Sequence, residues 1–256
     1  MKKSILATAV LSSLISLPTL ANQAGDILFR AGSTFVQPAN NDATVYAADM
    51  TVHVGGPATT VSVEDNTQLG LNLAYFVTDN WAVELLAATP FNHEISIDVG
   101  PASVQLAETK HLPPVLSAVY FFNDLHEKFK PYVGLGINYT VFFEDKFTST
   151  MQGDDVQVTA LNNTSILELN DTLGLPAGTE SVGLQAKELN LENSWGISAQ
   201  VGFDYHVNEN WYVNASVRYI DIDTTATFKA TALEVPGKVD VEIDPMVYTL
   251  SFGYNF

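Results

Sequence analysis

Along this chain, apolar and polar residues alternate in short runs with a period of two. From Gln68 to Val77, Leu69, Leu71, Leu73, Tyr75 and Val77 fall on one face, and Gln68, Gly70, Asn72, Ala74 and Phe76 on the other. A strand sends successive side chains to opposite sides, so this run predicts a strand with one continuous apolar face. Thr78-Asp79-Asn80 ends it as a short turn. Trp81, Val83, Leu85 and Ala87 then share a face opposite Ala82, Glu84, Leu86 and Ala88. The same alternation runs through 27–35, 133–141, 195–205, 211–219 and 246–256. From Val115 to Phe122 both faces are apolar, and Leu116, Ala118, Tyr120 and Phe122 are assigned outward. Eight strands result, each of roughly ten residues, the length of a tilted membrane crossing.

The non-greasy face carries Gly, Ala, Ser, Asn and Gln rather than the Lys and Glu of a wet surface. Small side chains suit the crowded interior of a narrow barrel. Aromatic residues cluster at strand ends: Phe76, Trp81, Phe122, Tyr132, Tyr205, Trp211, Tyr254 and Phe256 at one rim, Trp195, Phe143 and Tyr219 toward the other. Such girdles mark the two interfaces of an outer-membrane barrel. Connections at 78–80, 123–130 and 206–210 are short, whereas those at 37–65, 92–110, 144–193 and 229–240 are long. The prediction is an all-β fold: an eight-stranded antiparallel transmembrane β-barrel with short periplasmic turns and long extracellular loops. Residues 22–256 form its single domain.

The first residues read as an address. Lys2 and Lys3 precede an apolar run from Ile5 to Leu17, followed by Pro18-Thr19-Leu20-Ala21. That is the layout of a secretory signal peptide, cleaved after Ala21. Past Ala21 no 18 consecutive apolar residues occur, which excludes a helical span. Composition narrows the class further. The 256 residues carry a net charge of −18, which disfavours nucleic acid as a partner, because such binding rests on Lys and Arg neutralising phosphates. The absence of cysteine excludes disulfides, thiolate metal sites and a cysteine nucleophile.

Several ordered motifs resemble the OmpW family of bacterial outer-membrane proteins. They are Asn66-Thr67-Gln68-Leu69-Gly70-Leu71, the run from Val83 to Phe91, His111-Leu112-Pro113-Pro114, Pro131-Tyr132-Val133-Gly134, Gly136-Ile137-Asn138-Tyr139-Thr140, Ser194-Trp195-Gly196, the run from Asp221 to Ala226, and the terminal Ser251-Phe252-Gly253-Tyr254-Asn255-Phe256. The resemblance runs from about Gly25 to the end. It implies a bacterial outer-membrane location and a narrow, partly hydrophobic lumen. It also implies passive passage of small hydrophobic molecules, with sideways exit through the wall as one route, and service as a bacteriocin receptor. The loops at 41–63 and 144–193 are longer and more acidic than the resemblance leads one to expect.

Alternation places Arg30, Glu84, Asp204 and Arg218 inward, where opposite charges should pair because unpaired buried charge is costly. They are read either as a salt-bridged plug or as a polar constriction. Leu86, Phe76, Val115, Phe121, Ile220 and Val247 are the inward apolar candidates. They either fill the lumen or line a pocket for an alkyl or aromatic ligand, since eight strands leave room for side chains or one small ligand. Phe256, with Tyr254 and Phe252 on the same face, resembles the terminal signal read by the barrel-assembly machinery; a plain outward-facing last strand is the other reading, and both can hold.

His53, His93 and His111, with Asp98, Asp221 and Asp223, fall toward the outer side. No spacing sets a nucleophile against a base, so enzyme activity, a cofactor and a metal are not expected. The expected partners are outer-membrane lipid and lipopolysaccharide, small hydrophobic ligands and the assembly machinery. The competing function is a closed structural barrel whose loops bind bacteriocins or surfaces.

Overall fold

The structure is a computed structural model that describes residues 22–39, 43–47, 50–54, 59–99, 102–148, 156–159, 181–184, 186–230 and 235–256. The expected leader at 1–21 lies outside the described residues. Eight strands form the barrel: β1 (Ile27–Gln37), β5 (Asn66–Phe76), β6 (Trp81–Ala88), β9 (Val115–Phe121), β10 (Phe129–Phe147), β14 (Ser194–His206), β15 (Trp211–Ile220) and β18 (Met246–Asn255). Outside it lie β2 (Ala43–Ala47), β3 (Met50–Val54), β4 (Thr59–Val63), β7 (Phe91–Val99), β8 (Ala102–Leu112), β11 (Val156–Thr159), β12 (Ser181–Leu184), β13 (Ala186–Leu191), β16 (Asp223–Ala230) and β17 (Val235–Glu242).

The barrel strands pair in the order β14-β15-β18-β1-β5-β6-β9-β10, and pairing of β10 with β14 closes the ring. Every barrel pairing is antiparallel. All eight predicted strands are therefore present, in an all-β antiparallel transmembrane barrel. No helix among the described residues is long and apolar enough to cross a membrane. Closure leaves no unpaired edge, which is what lipid demands of a strand-built span. Leu69, Leu71, Leu73, Trp81, Val83, Leu85, Leu135, Ile137, Ile197, Leu250 and Phe252 all stand exposed on the outer wall. In lipid they meet acyl chains.

Two aromatics near the short-turn rim point inward: Phe76, as its parity predicts, and Tyr132, which was assigned to the rim girdle. Phe76 and Tyr132 are buried in the lumen, where they stack around Phe121 with ring centres 4.9 Å apart in each pair. An aromatic near a strand end joins a girdle only if its parity points outward, and these two have inward parity.

Inward glycines make room for such rings. A β-carbon at Gly253 would lie 2.1 Å from Tyr212 Cζ, and one at Gly202 would lie 2.5 Å from Tyr132 Cζ. Gly253→Val should force Tyr212 out of its place. The expected result is a loss of about 1–3 kcal/mol, the usual cost of overpacking, read as a lower urea midpoint of the folded barrel in detergent.

The expected long loops differ most from the prediction. Among the described residues of 37–65, 92–110, 144–193 and 229–240, most are strand. β7 and β8 form a hairpin that continues onto the upper half of β10. A second sheet runs β13-β16-β17-β2-β3. The wall thus rises beyond the lipid band, and there the alternation inverts. Outward positions become charged and form ion pairs, such as Lys110–Glu144 at 2.5 Å and Lys146–Glu108 at 2.9 Å. Inward positions become apolar, with Phe91, Phe142, Leu191, Ile222 and Ile243 buried. Above the membrane the solvent is water on the outside, so the ordinary rule of greasy inside and polar outside returns.

Prolines mark the changeover: Pro38 after β1, Pro90 between β6 and β7, Pro113-Pro114 between β8 and β9, and Pro245 before β18. Proline lacks the N–H a ladder needs, so it sits where pairing stops.

Candidate functional site

The lumen is layered. The lowest layer, nearest the short turns, is aromatic: Leu28, Ala74, Phe76, Ala82, Val119, Phe121, Tyr132 and Tyr212 pack as one cluster, none more than 3% exposed. Above it lies the ionic layer. Arg30 Nη1 donates to Glu84 Oε2 at 3.0 Å and to Asn72 Oδ1 at 2.9 Å. Arg30 Nη2 reaches Asp204 Oδ2 at 2.7 Å. Arg218 Nη2 donates to Glu84 Oε1 at 2.6 Å and to Gln200 Oε1 at 2.6 Å, and Gln200 Nε2 returns a bond to Glu84 at 2.8 Å. Asn214 Nδ2 ties Asp204 Oδ1 at 2.7 Å to the Tyr132 hydroxyl at 2.9 Å.

The Arg30 guanidinium also sits 5.5 Å from the ring centres of both Tyr132 and Tyr212 and 5.9 Å from that of Phe121. Two cations and two anions leave the layer neutral. Its geometry suits the low-dielectric interior, because each carboxylate is paired and also bonded to an amide. Arg30, Glu84, Asp204 and Arg218 thus come together.

The third layer is apolar. Leu86, Val115, Ile220 and Val247 pack with Val36, Phe91, Phe142, Leu191, Ile222 and Ile243. The six inward apolar candidates therefore do not form one group. Four line this upper layer, while Phe76 and Phe121 belong to the aromatic layer below the charges. Parity told which way each side chain points. It did not tell height along the bore, which depends on strand tilt and stagger. Sequence reasoning missed Tyr212, Gln200, Asn72 and Asn214 as partners of the charges, although all four have inward parity. It also missed Phe91 and Phe142, because they follow the changeover.

The wall beside the upper layer is interrupted. β6 and β9 pair as far as Leu86↔Val115, and β7 and β8 resume at Phe91↔His111. Among the described residues, no backbone hydrogen bond joins 87–90 to 112–114. Elsewhere single bonds carry the ladder through the changeover: Tyr139 N donates to Pro114 O, Thr89 N to Leu69 O, and Ile220 N to Pro245 O. Three of the seven residues facing the gap are prolines, and Ala87, Ala88 and Thr89 are small.

The histidines assigned to the outer side divide. His53 has its backbone in β3. His93 and His111 are not loop residues; both point inward from the β7–β8 hairpin, each 1% exposed. Their ring centres lie 4.7 Å apart. Both belong to the extension above the membrane, and burial pushes both below the ordinary histidine value, His111 to about 3 with His93 adding repulsion. Asp221, Asp223 and Asp244 bring carboxylate oxygens within 4.8 Å of one another at the outer rim.

Phe256 is exposed on the outer wall. Its N–H donates to Ile27 O at 3.0 Å, so it extends the seam between the last and first strands. Its ring packs on Tyr254 at 4.8 Å, and Tyr254 packs on Trp211 at 5.0 Å. Deleting Phe256 should lower the amount of assembled barrel in the membrane more than it alters the barrels that do assemble. Equal amounts in membranes with and without it would contradict an assembly role.

A closed wall of eight strands with a lipid-facing apolar band and a side-chain-filled bore defines a bacterial outer-membrane β-barrel. The comparisons narrow this class. The model of the OmpW family matches residues 23–177 and 177–256, and the chain belongs to that family. It is 40% identical over 258 residues to outer membrane protein W of Vibrio cholerae, with all of both chains covered. It is 40% identical over 256 residues to outer membrane protein W of Escherichia coli, again with all of both covered. Among solved structures it is similar to the outer membrane protein OprG of Pseudomonas aeruginosa, with TM-score 0.71 and 34% identity over 93% of this chain and 98% of that one.

Proposed function

We propose that this barrel lets small hydrophobic molecules enter from outside and leave sideways into the membrane. The observation that carries the reading is the gap in the wall between 87–90 and 112–114, which opens beside the apolar layer. The energetics of the two layers support it. A hydrophobic guest entering the upper layer exchanges apolar contacts for apolar contacts, at little net cost. A guest crossing the ionic layer must part charges that are fully buried, at roughly 3–5 kcal/mol for a broken pair. The easier way out of the upper layer is therefore through the wall.

Above Leu86 and Val115 the lateral path is bounded by Ala87, Ala88 and the three prolines, which offer little side chain and few N–H groups to unbind. On this reading the purified barrel in liposomes takes up hydrophobic compounds while carrying little ion current.

The test uses the absence of native cysteine. Continuing the β6–β9 register places Ala88 opposite Pro113. An Ala88→Cys/Pro113→Cys disulfide should staple the gap and slow uptake, and a reducing agent should restore it. Equal uptake in the oxidised and reduced forms, with the disulfide verified, would remove the lateral route.

Docking of a bacteriocin on the charged outer face of the extension is a second reading, supported by the exposed Lys110–Glu144 and Lys146–Glu108 pairs. A barrel acting only as such a receptor would bind its partner with the gap stapled and would take up nothing with the gap open.

A further inference from the structure

The two histidines on the inner face of the β7–β8 hairpin are built unlike packing residues. Three of their four ring nitrogens, His93 Nε2 and His111 Nδ1 and Nε2, are buried with no hydrogen-bond partner among the described residues. Buried polar atoms are nearly always bonded, and each orphan asks for a reason. A Phe or Leu at either place would fill the space without leaving donors and acceptors unmet. The fourth nitrogen is informative. His93 Nδ1 lies 2.6 Å from the carbonyl oxygen of Glu64. A carbonyl only accepts, so Nδ1 carries the proton and Nε2 presents a bare lone pair. Metal-binding histidines have this arrangement, with the far nitrogen fixed by a carbonyl or carboxylate so that the near one is free to bind.

We propose that His93 and His111 bind a divalent transition-metal cation, Cu2+ most tightly and Zn2+ or Ni2+ less so, just above the upper apolar layer of the lumen. Imidazole pairs select this class, and Cu2+ leads the affinity order at nitrogen sites. The ring separation fits. Two imidazoles holding one ion side by side, with metal–nitrogen bonds of about 2.0–2.1 Å, have ring centres roughly 4.5–5 Å apart. Here the separation is 4.7 Å with the planes at 45°.

The pair is also held in place. His111 stands opposite Phe91 in the ladder, and His93 stands opposite Thr109. Phe91 and Phe142 pack against the His111 ring at 5.5 and 5.8 Å. Thr109 donates its hydroxyl to Asp145 at 2.6 Å and so does not occupy the imidazoles. The protein supplies two nitrogen donors. The site does not depend on the lateral gap or on hydrophobic transport.

The experiment is titration of the purified barrel in detergent with Cu2+ alone, followed by electron paramagnetic resonance. The expected result is one tight ion per chain whose spectrum shows splitting from two nitrogens. His93→Asn or His111→Asn should each weaken the tight site by about tenfold or more, on the scale seen when metal ligands or their supports are lost. The acidic cluster at the rim serves as the control. Asp221→Asn/Asp223→Asn should leave the tight site and its spectrum unchanged and remove only weak, salt-sensitive binding. Three outcomes each overturn the proposal. They are no tight ion in the wild-type barrel, a spectrum with oxygen ligands only, or equal tight binding by a folded His93→Asn/His111→Asn variant. The spectrum of the unaltered chain excludes an oxygen-only site even where a substitution impairs folding.

Discussion

Glu84→Ala is expected to lower barrel stability by about 3–5 kcal/mol, the scale for removing one partner from a buried ion pair. Glu84 is fully buried and is the only carboxylate that Arg218 meets among the described ion pairs, while Arg30 divides between Glu84 and Asp204. Its loss leaves the buried Arg218 guanidinium with Gln200 as its remaining hydrogen-bond partner among the described residues. The urea midpoint of the folded barrel in detergent reads the effect. Replacing all four members together by apolar residues of similar size should recover most of the loss, because the desolvation cost then disappears along with the pairing. If Glu84→Ala unfolded at the wild-type midpoint, the ionic layer would not hold the lower barrel together.

The second large effect concerns transport. Leu86→Arg places a cation in the apolar layer, next to the gap and just above charges that already balance. Uptake of every hydrophobic compound that uses the barrel should fall by roughly tenfold or more, since a partition penalty of about 1.4 kcal/mol is already a factor of ten. The assay compares cells with equal amounts of folded barrel. Unchanged uptake would mean that guests do not pass the layer that Leu86 lines. The contrast with Glu84 separates the two roles: Glu84→Ala acts first on stability, and Leu86→Arg acts first on passage.

These two predictions also show what was legible beforehand. Glu84 and Leu86 are two residues apart on one strand and share inward parity, which alternation makes plain. That Glu84 joins the sealed ionic layer and Leu86 the apolar layer above it was not legible. The difference arises because Arg218 and Gln200, from β15 and β14, arrive at the height of Glu84, whereas Ile220 and Val247 pack in the layer with Leu86. The same holds for Phe121 and Val115, inward on one strand yet assigned to different layers. His93 and His111 were legible only as isolated polar residues in a presumed loop. Alternation there obeys the opposite polarity rule, and a reader who expects polar inside finds no strand.

The chain's own pattern determined the class: eight strands, their parity, the closed wall and the side that meets lipid. These follow from a local rule, in which neighbouring residues face opposite ways and only one face can be greasy. Tertiary structure alone decided the stacking of layers in the bore, the interruption of the wall beside one of them, and the meeting of two imidazoles above it. Each depends on the stagger between strands far apart in sequence, and a two-residue period carries no information about stagger.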